Sequence, residues 1–444
     1  MATPCRSLPF DILIQLFAEQ EVPILQDFEL RGQRATFKRN ELLVCCALVC
    51  RTWALAARHV LYRDIALGIT FRKDPSFPRY TYGDTTESLA QLTRRLRDDT
   101  KLARCVRGLH LGYGFAVSRE IGRGISAYTH TYDLHSIAAL IAWCPKLTTL
   151  TLDIGMRQVA DRHHAGPLDG LSFLEKDLAR MEKKVKNLRE LCIHRAWHES
   201  IGSMDTPGLI LVPAHNVAQQ LLHVFSGSLT HLRIQLPHRS DLDLALTQWV
   251  ASPNGQITLP RLHTMVSHCS QKFLEDTVAA APALRRLFVA GNGTSRLAIP
   301  DNVTELTLIG ILGVVSIGPE SQLQSLSFAP CHHLGSHPSP ADTSLYDVLL
   351  RTLRLFPRLT KLKTLWIPAN GFWHPEAQEL DATGGSAGDH LSLLIVAIRE
   401  VFAADAFGVT VVVVGMPFPG HERLQAAFSA DIVVQFKESA VDFH

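Results

Sequence analysis

Cys331, His332, His333 and His337 place four potential metal ligands within one short stretch, a density that could hold a zinc ion. Cys331 has a competing role, because it also fills a position of a sequence repeat described below. His163 and His164 stand beside Asp161 in DRHHAGPLDG (161–170), a polar stretch that reads as a solvated loop. The glycines of GNGTSR (291–296) and of Thr383-Gly384-Gly385 could approach a phosphate, but no lysine follows in the strand–loop–helix setting such a loop needs. KKVK (183–186) reads as the wet face of an amphipathic helix. No serine sits in a nucleophile elbow with a histidine and a carboxylate to serve it. The expectation is a chain that is not an enzyme and takes no cofactor and no metal.

The bulk properties bound the other classes. The chain has 444 residues, 46% apolar and 19% charged, which is enough apolar material for a large core. A formal charge of +2 gives no global case for nucleic acid or a membrane as partner. The nine cysteines form no C-x-x-C pair and sit mostly in apolar runs, as reduced thiols of a cytoplasmic or nuclear protein do. The start, MATPCRSLPFDIL, has no leader-like apolar stretch. The longest apolar runs, LSLLIVAI (391–398) and VTVVVVG (409–415), are too short to span a bilayer. The triplets at Asn292 and Asn302 then read as accidental glycosylation signals.

The elements that would position any site follow from a repeat. Apolar residues at positions 1, 4 and 6 recur in V106RGLHL, L147TTLTL, L188RELCI, L229THLRI, L262HTMVS, L284RRLFV, V303TELTL, L323QSLSF and L362KTLWI. Their starts are separated by 41, 41, 41, 33, 22, 19, 20 and 39 residues. Positions 4 and 6 alternate, so both point to one face of a short strand. Segments of helical period lie between: 85–96, 132–144, 172–188, 216–225, 346–356 and 389–402. The pattern predicts an α/β solenoid with parallel strands inside and helices outside. Residues 409–415 would close it, and 368–390 reads as an exposed loop. Positions 3, 5 and 7 would line the concave face. They include His110, Thr149, Thr151, Asp153, Glu190, His194, His231, Arg233, Gln235, His268, Arg286, Phe288, Glu305, Thr307 and Trp366. Charge, histidines and two aromatics together suit a protein ligand better than nucleic acid.

Ahead of the repeat lie two apolar stretches. Pro9 suits a first helical turn and Asp11 the positive end of the dipole, and Ile12, Leu13, Leu16 and Phe17 make a stripe. A second helix is expected from Asn40, burying some of Leu43, Cys46, Ala47, Cys50 and Trp53, with Leu42 and Val49 toward its other side. Helices this small, apolar on more than one side, need a cover. Either the repeats or another protein supplies it.

Two resemblances attach to these residues. The repeat resembles the leucine-rich repeat, whose ninth position is Asn or Cys; Asn292, Cys331 and Asn370 match it, while Gly155, Ala196 and Pro237 do not. The pattern Leu8-Pro9, Ile12-Leu13, Leu16 and L48VCRTW53, with VLYRDIAL (60–67) behind it, resembles an F-box of the kind found in many fungal proteins. The segment 18–39 is longer and more charged than the family's usual connection.

The resemblance implies a substrate-recognition subunit of a cullin–RING ubiquitin ligase. It would dock on a Skp-family adaptor, and through it a cullin, while the repeats hold a protein substrate. Carried over by motif position, the adaptor-binding candidates are Leu8, Pro9, Ile12, Leu13, Leu16, Leu42, Leu43, Val49, Cys50 and Trp53. The substrate-binding candidates are His194, His231, Arg233, His268, Arg286, Phe288 and Trp366. The expected organisation is an F-box-like helical domain at 1–67 with the insertion at 18–39, a connecting helical segment at 68–104, an irregular leucine-rich-repeat-like horseshoe at 105–415 and a cap or tail at 416–444. The alternative is a non-catalytic scaffold whose N-terminal helices only cap the solenoid.

Overall fold

The computed structural model describes residues 8–19, 43–67, 71–73, 80–82, 85–113, 134–154, 157–158, 173–194, 209–210, 214–235, 257–268, 271–290, 297–309, 315–318, 320–329, 345–356, 358–368, 387–402, 408–414, 421–428 and 432–437. Much of the insertion at 18–39, Leu42, the Cys331 cluster, Asp161 to His164 and the ninth-position residues Asn292 and Asn370 lie outside them. The chain divides into two compact units, Met1–Ser228 and Leu229–His444.

In the first unit, α1 (Phe10–Glu19) and α2 (Arg51–Leu61) lead into a parallel sheet. Its strands are β1 (Asp64–Leu67), β2 (Gly108–Tyr113), β3 (Thr149–Ile154) and β4 (Glu190–His194). They pair in chain order, with Asp64 opposite Gly108, Gly108 opposite Thr149 and Thr149 opposite Glu190. The helices α3 (Thr85–Asp98), α4 (Thr100–Ala103), α5 (Leu134–Ala142) and α6 (Glu175–Lys184) connect them, and α7 (Ala214–Phe225) follows β4. Of these, α3, α5, α6 and α7 pack side by side in that order.

In the second unit eight strands pair in parallel, again in chain order: β5 (His231–Gln235), β6 (Thr264–His268), β7 (Arg286–Ala290), β8 (Glu305–Ile309), β9 (Ser325–Ala329), β10 (Thr364–Pro368), β11 (Val409–Val414) and β12 (Ile432–Lys437). Its helices are α8 (Gln271–Ala279), α9 (Leu345–Leu355), α10 (Ala387–Val401) and α11 (His421–Ala427). The chain therefore folds as a repetitive α/β structure with parallel strands.

Every one of the nine six-residue motifs becomes a strand, and each strand starts at motif position 3. Position 1 is buried in all nine, from Val106 to Leu362. At position 2 of seven motifs the backbone carbonyl accepts two amides from the next coil. Arg107 O takes the N–H groups of Thr148 and Thr149, and Thr304 O takes those of Gln324 and Ser325. This fork locks consecutive coils in register and leaves neither amide unsatisfied.

Three features differ from the sequence reading. Where the motif interval shrinks to 19 or 20 residues there is too little chain for a helix and two turns. The outer layer there holds Leu297–Ile299 paired in parallel with Val315–Ile317 in place of a helix. The strand expected to close the array, β11, is followed by α11 and β12, so the cap or tail contributes a further helix and strand. The connecting segment at 68–104 is not purely helical, because Phe71–Lys73 and Tyr80–Tyr82 pair as an antiparallel ribbon.

Candidate docking surface

The N-terminal helices build a small core of their own. On α1, Leu13 and Phe17 lie one turn apart and point inward, where they meet Leu43, Ala56, Ala57 and Val60. The two alanines let the helices approach closely. Ile14, Cys46, Ala47, Trp53 and Leu61 pack against the rim of this cluster. Phe17 and Trp53 meet edge to face, ring centroids 5.5 Å apart. Pro9 stands one residue ahead of α1 and not within its first turn, and its carbonyl accepts the Leu13 amide at 3.1 Å.

The second helix is not continuous. Residues 43–47 are helical, the chain turns at 48–49, and α2 begins at Arg51. Cys50 has extended backbone (φ −162°, ψ 171°), and its carbonyl receives the Ala54 amide at 2.8 Å. The turn is closed by the Leu48 and Val49 amides on the Cys45 and Cys46 carbonyls. It throws Leu48 and Val49 outward, 82% and 62% exposed.

The adaptor-binding candidates divide accordingly. Leu8, Pro9, Ile12, Leu16, Val49 and Cys50 are exposed and form the outer surface. Leu13 and Leu43 are buried, and Trp53 is half-buried against Phe17, so these three support the surface without being open to a partner. Of the second-helix set of which some were expected to be buried, Cys50 is in solvent, put there by the turn before it. Leu42 lies outside the described residues. The sequence reading missed Phe10, Val44, Leu48 and Leu55, all exposed large apolar side chains. Leu48 opens the LVCRTW segment, but the turn at 48–49 that puts it outward has no mark in the sequence.

The substrate-binding candidates fall into rows across the second unit. Arg233, Phe288 and Trp366 occupy one cross-strand row with Val266, Thr307 and Ser327 between them. His231 and Arg286 occupy the neighbouring row. His231 is exposed, while Arg233, Phe288 and Trp366 are half-buried. Arg286 pairs with Glu305 at 3.0 Å, and the Lys437 ammonium sits 4.7 Å from the centre of the Trp366 ring. His194 and His268 end their strands, and their side chains lie outside the described set. The row is not open along its length, because Thr307 and Ser327, between the two aromatics, are buried.

The first unit shows the same correction to the expectation of an open concave face. His110 and Thr151, also expected on it, are buried, with Nδ1 and Oγ1 3.0 Å apart. Burial pushes the His110 pKa down to about 4, against the opposing pull of Glu190. The Thr149 hydroxyl donates to Glu190 at 3.2 Å.

Among the described residues no group of three His, Cys, Asp or Glu side chains could hold a metal ion. No helix among them is long and apolar enough to cross a membrane. The described cysteines are free thiols. No protein-family model matches the chain, and no curated protein matches it.

Proposed function

We propose that the protein is an F-box substrate receptor: residues 8–61 dock on a Skp-family adaptor of a cullin–RING ubiquitin ligase, and the strand rows of the second unit hold a protein substrate. The observation that supports this reading most directly is the division of apolar residues in the helix pair. Leu13, Phe17 and Leu43 close a core drawn from the pair itself, while Leu8, Ile12, Leu16, Val44, Leu48 and Val49 stay in solvent. Helices that only capped the repeats would turn their second apolar face onto the repeats. An exposed set of this size, presented by a small module with its own core, suits a groove in another protein.

Binding of the full-length chain to a Skp-family adaptor tests the reading. Ile12→Asp and Leu48→Asp put a charge where the partner's apolar groove would lie and leave the core untouched. Each is expected to abolish adaptor binding without lowering the unfolding midpoint. Adaptor affinity unchanged by both variants, or no affinity in the parent chain, would overturn the assignment.

A further inference from the structure

The chain's formal charge of +2 conceals a strong local imbalance. Over 51–64 and 94–108, nine arginine and lysine residues stand against three aspartates. All three aspartates are engaged: Asp99 with Arg58 at 3.0 Å, Asp64 with Arg63 at 3.7 Å and Asp98 with Arg97 at 2.9 Å. Lys101 and Arg104 are exposed, Arg107 is half-buried, and none of the three meets a carboxylate among the described residues. Arg107 spends its Nη1 on the Arg104 and Lys146 carbonyls, at 3.0 and 3.4 Å.

These cations converge where the helix pair joins the first coil. Cys105 Sγ lies 3.4 Å from His59 Nδ1 and bonds to the Lys101 carbonyl. Burial lowers the His59 pKa, and Arg107 and Arg63 lower it further. The cationic region also borders the exposed apolar face. Phe10 meets the His59 ring edge-on at 6.4 Å, and Leu55 sits one turn before His59 on α2.

We propose that this cationic joint is a second, electrostatic contact for the partner that covers the apolar face, an adaptor protein with a carboxylate-rich segment beside its apolar groove. The proposal rests on the docking reading above and specifies the partner's chemistry. Charge complementarity argues for it: Lys101, Arg104 and Arg107 meet no carboxylate among the described residues, and the cationic region begins where the aliphatic surface ends. A nucleic-acid strand would call for aromatic stacking platforms along the basic track, and the exposed neighbours here are chiefly aliphatic.

The test is a titration of the full-length chain with a Skp-family adaptor at about 50 and about 500 mM NaCl, where screening lengths differ severalfold. The variants are Lys101→Glu/Arg104→Glu and the neutral Lys101→Gln/Arg104→Gln, all at exposed positions. The reversed variant is expected to bind on the order of tenfold more weakly at low salt and nearly as the parent does at high salt, with the neutral variant between. Equal affinity of parent and both variants at low salt overturns the proposal, and with Ile12→Asp still inactive the docking reading survives alone. A parent chain that binds no adaptor at either salt brings down both. Tight binding of a single-stranded RNA or of phosphatidylserine vesicles that the reversed variant loses, with adaptor affinity unmoved, assigns the patch elsewhere and also overturns it.

Discussion

Phe17 and Trp53 hold the two N-terminal helices together, their rings 5.5 Å apart and inclined at 71°. Phe17 is buried and Trp53 half-buried, so the contact joins core to rim. Phe17→Ala removes most of a buried aromatic and is expected to destabilise the helix pair by about 3 kcal/mol. Limited proteolysis would show early cleavage within 8–61, and adaptor binding would fall with it. Trp53→Phe keeps a ring in place and should cost much less.

Gly108 and Asp64 face each other across β1 and β2. A Cβ at 108 would run into the Asp64 Oδ1, so the carboxylate, the far end of a flexible side chain, must swing aside to admit one. Gly108→Ala is therefore expected to cost about 1 kcal/mol or less in urea unfolding. Asp64→Gly/Gly108→Ala should cost less than the two single changes added together, and strict additivity would refute the clash.

His110 makes stability depend on pH. Its folded pKa, about 4, lies below the ordinary imidazole value of 6.5, so the unfolded chain binds its proton first. The contribution is fully present above about pH 6.5 and is lost as pH falls from there toward 4. The whole loss is about 3 kcal/mol, with most of it complete by pH 4.5. His110→Gln should flatten the difference in urea midpoint between pH 7.5 and about 5. An unchanged pH profile in that variant would show that another group carries it.

Arg286 and Glu305 pair across neighbouring strands, Arg286 exposed and Glu305 half-buried with its side chain still reached by solvent, so a double-mutant cycle on unfolding is expected to give about 0.5 kcal/mol or less. Arg286→Ala then leaves the fold intact. Any loss of substrate capture in that variant reads recognition directly.

The repeat was legible because burial and pairing act on the same six residues. Leu150 and Leu152 point inward, Leu147 closes the turn before them, and no other placement satisfies all three. The outer layer was less legible. LAI and VSI are too short to show a period, and whether they coil or extend is decided by how much chain is left between strands. At the N-terminus, helical period separates Leu13 and Phe17 from Ile12 and Leu16 only once a facing helix exists. The turn at 48–49 was invisible because LVC has no glycine or proline to mark it. The burial of His110, Thr151 and Thr307 depends on what covers that face, which alternation along a strand cannot reveal.

The fork at motif position 2 has a bearing on how such a chain can change. Register is written into each six-residue word, and the same fork joins coils 41 residues apart and coils 20 apart. Doubling the intervening chain costs only about 0.6 kcal/mol in closure entropy. The segments between strands are thus interchangeable parts. They can be lengthened, shortened or replaced in evolution or by design, and the array keeps its count.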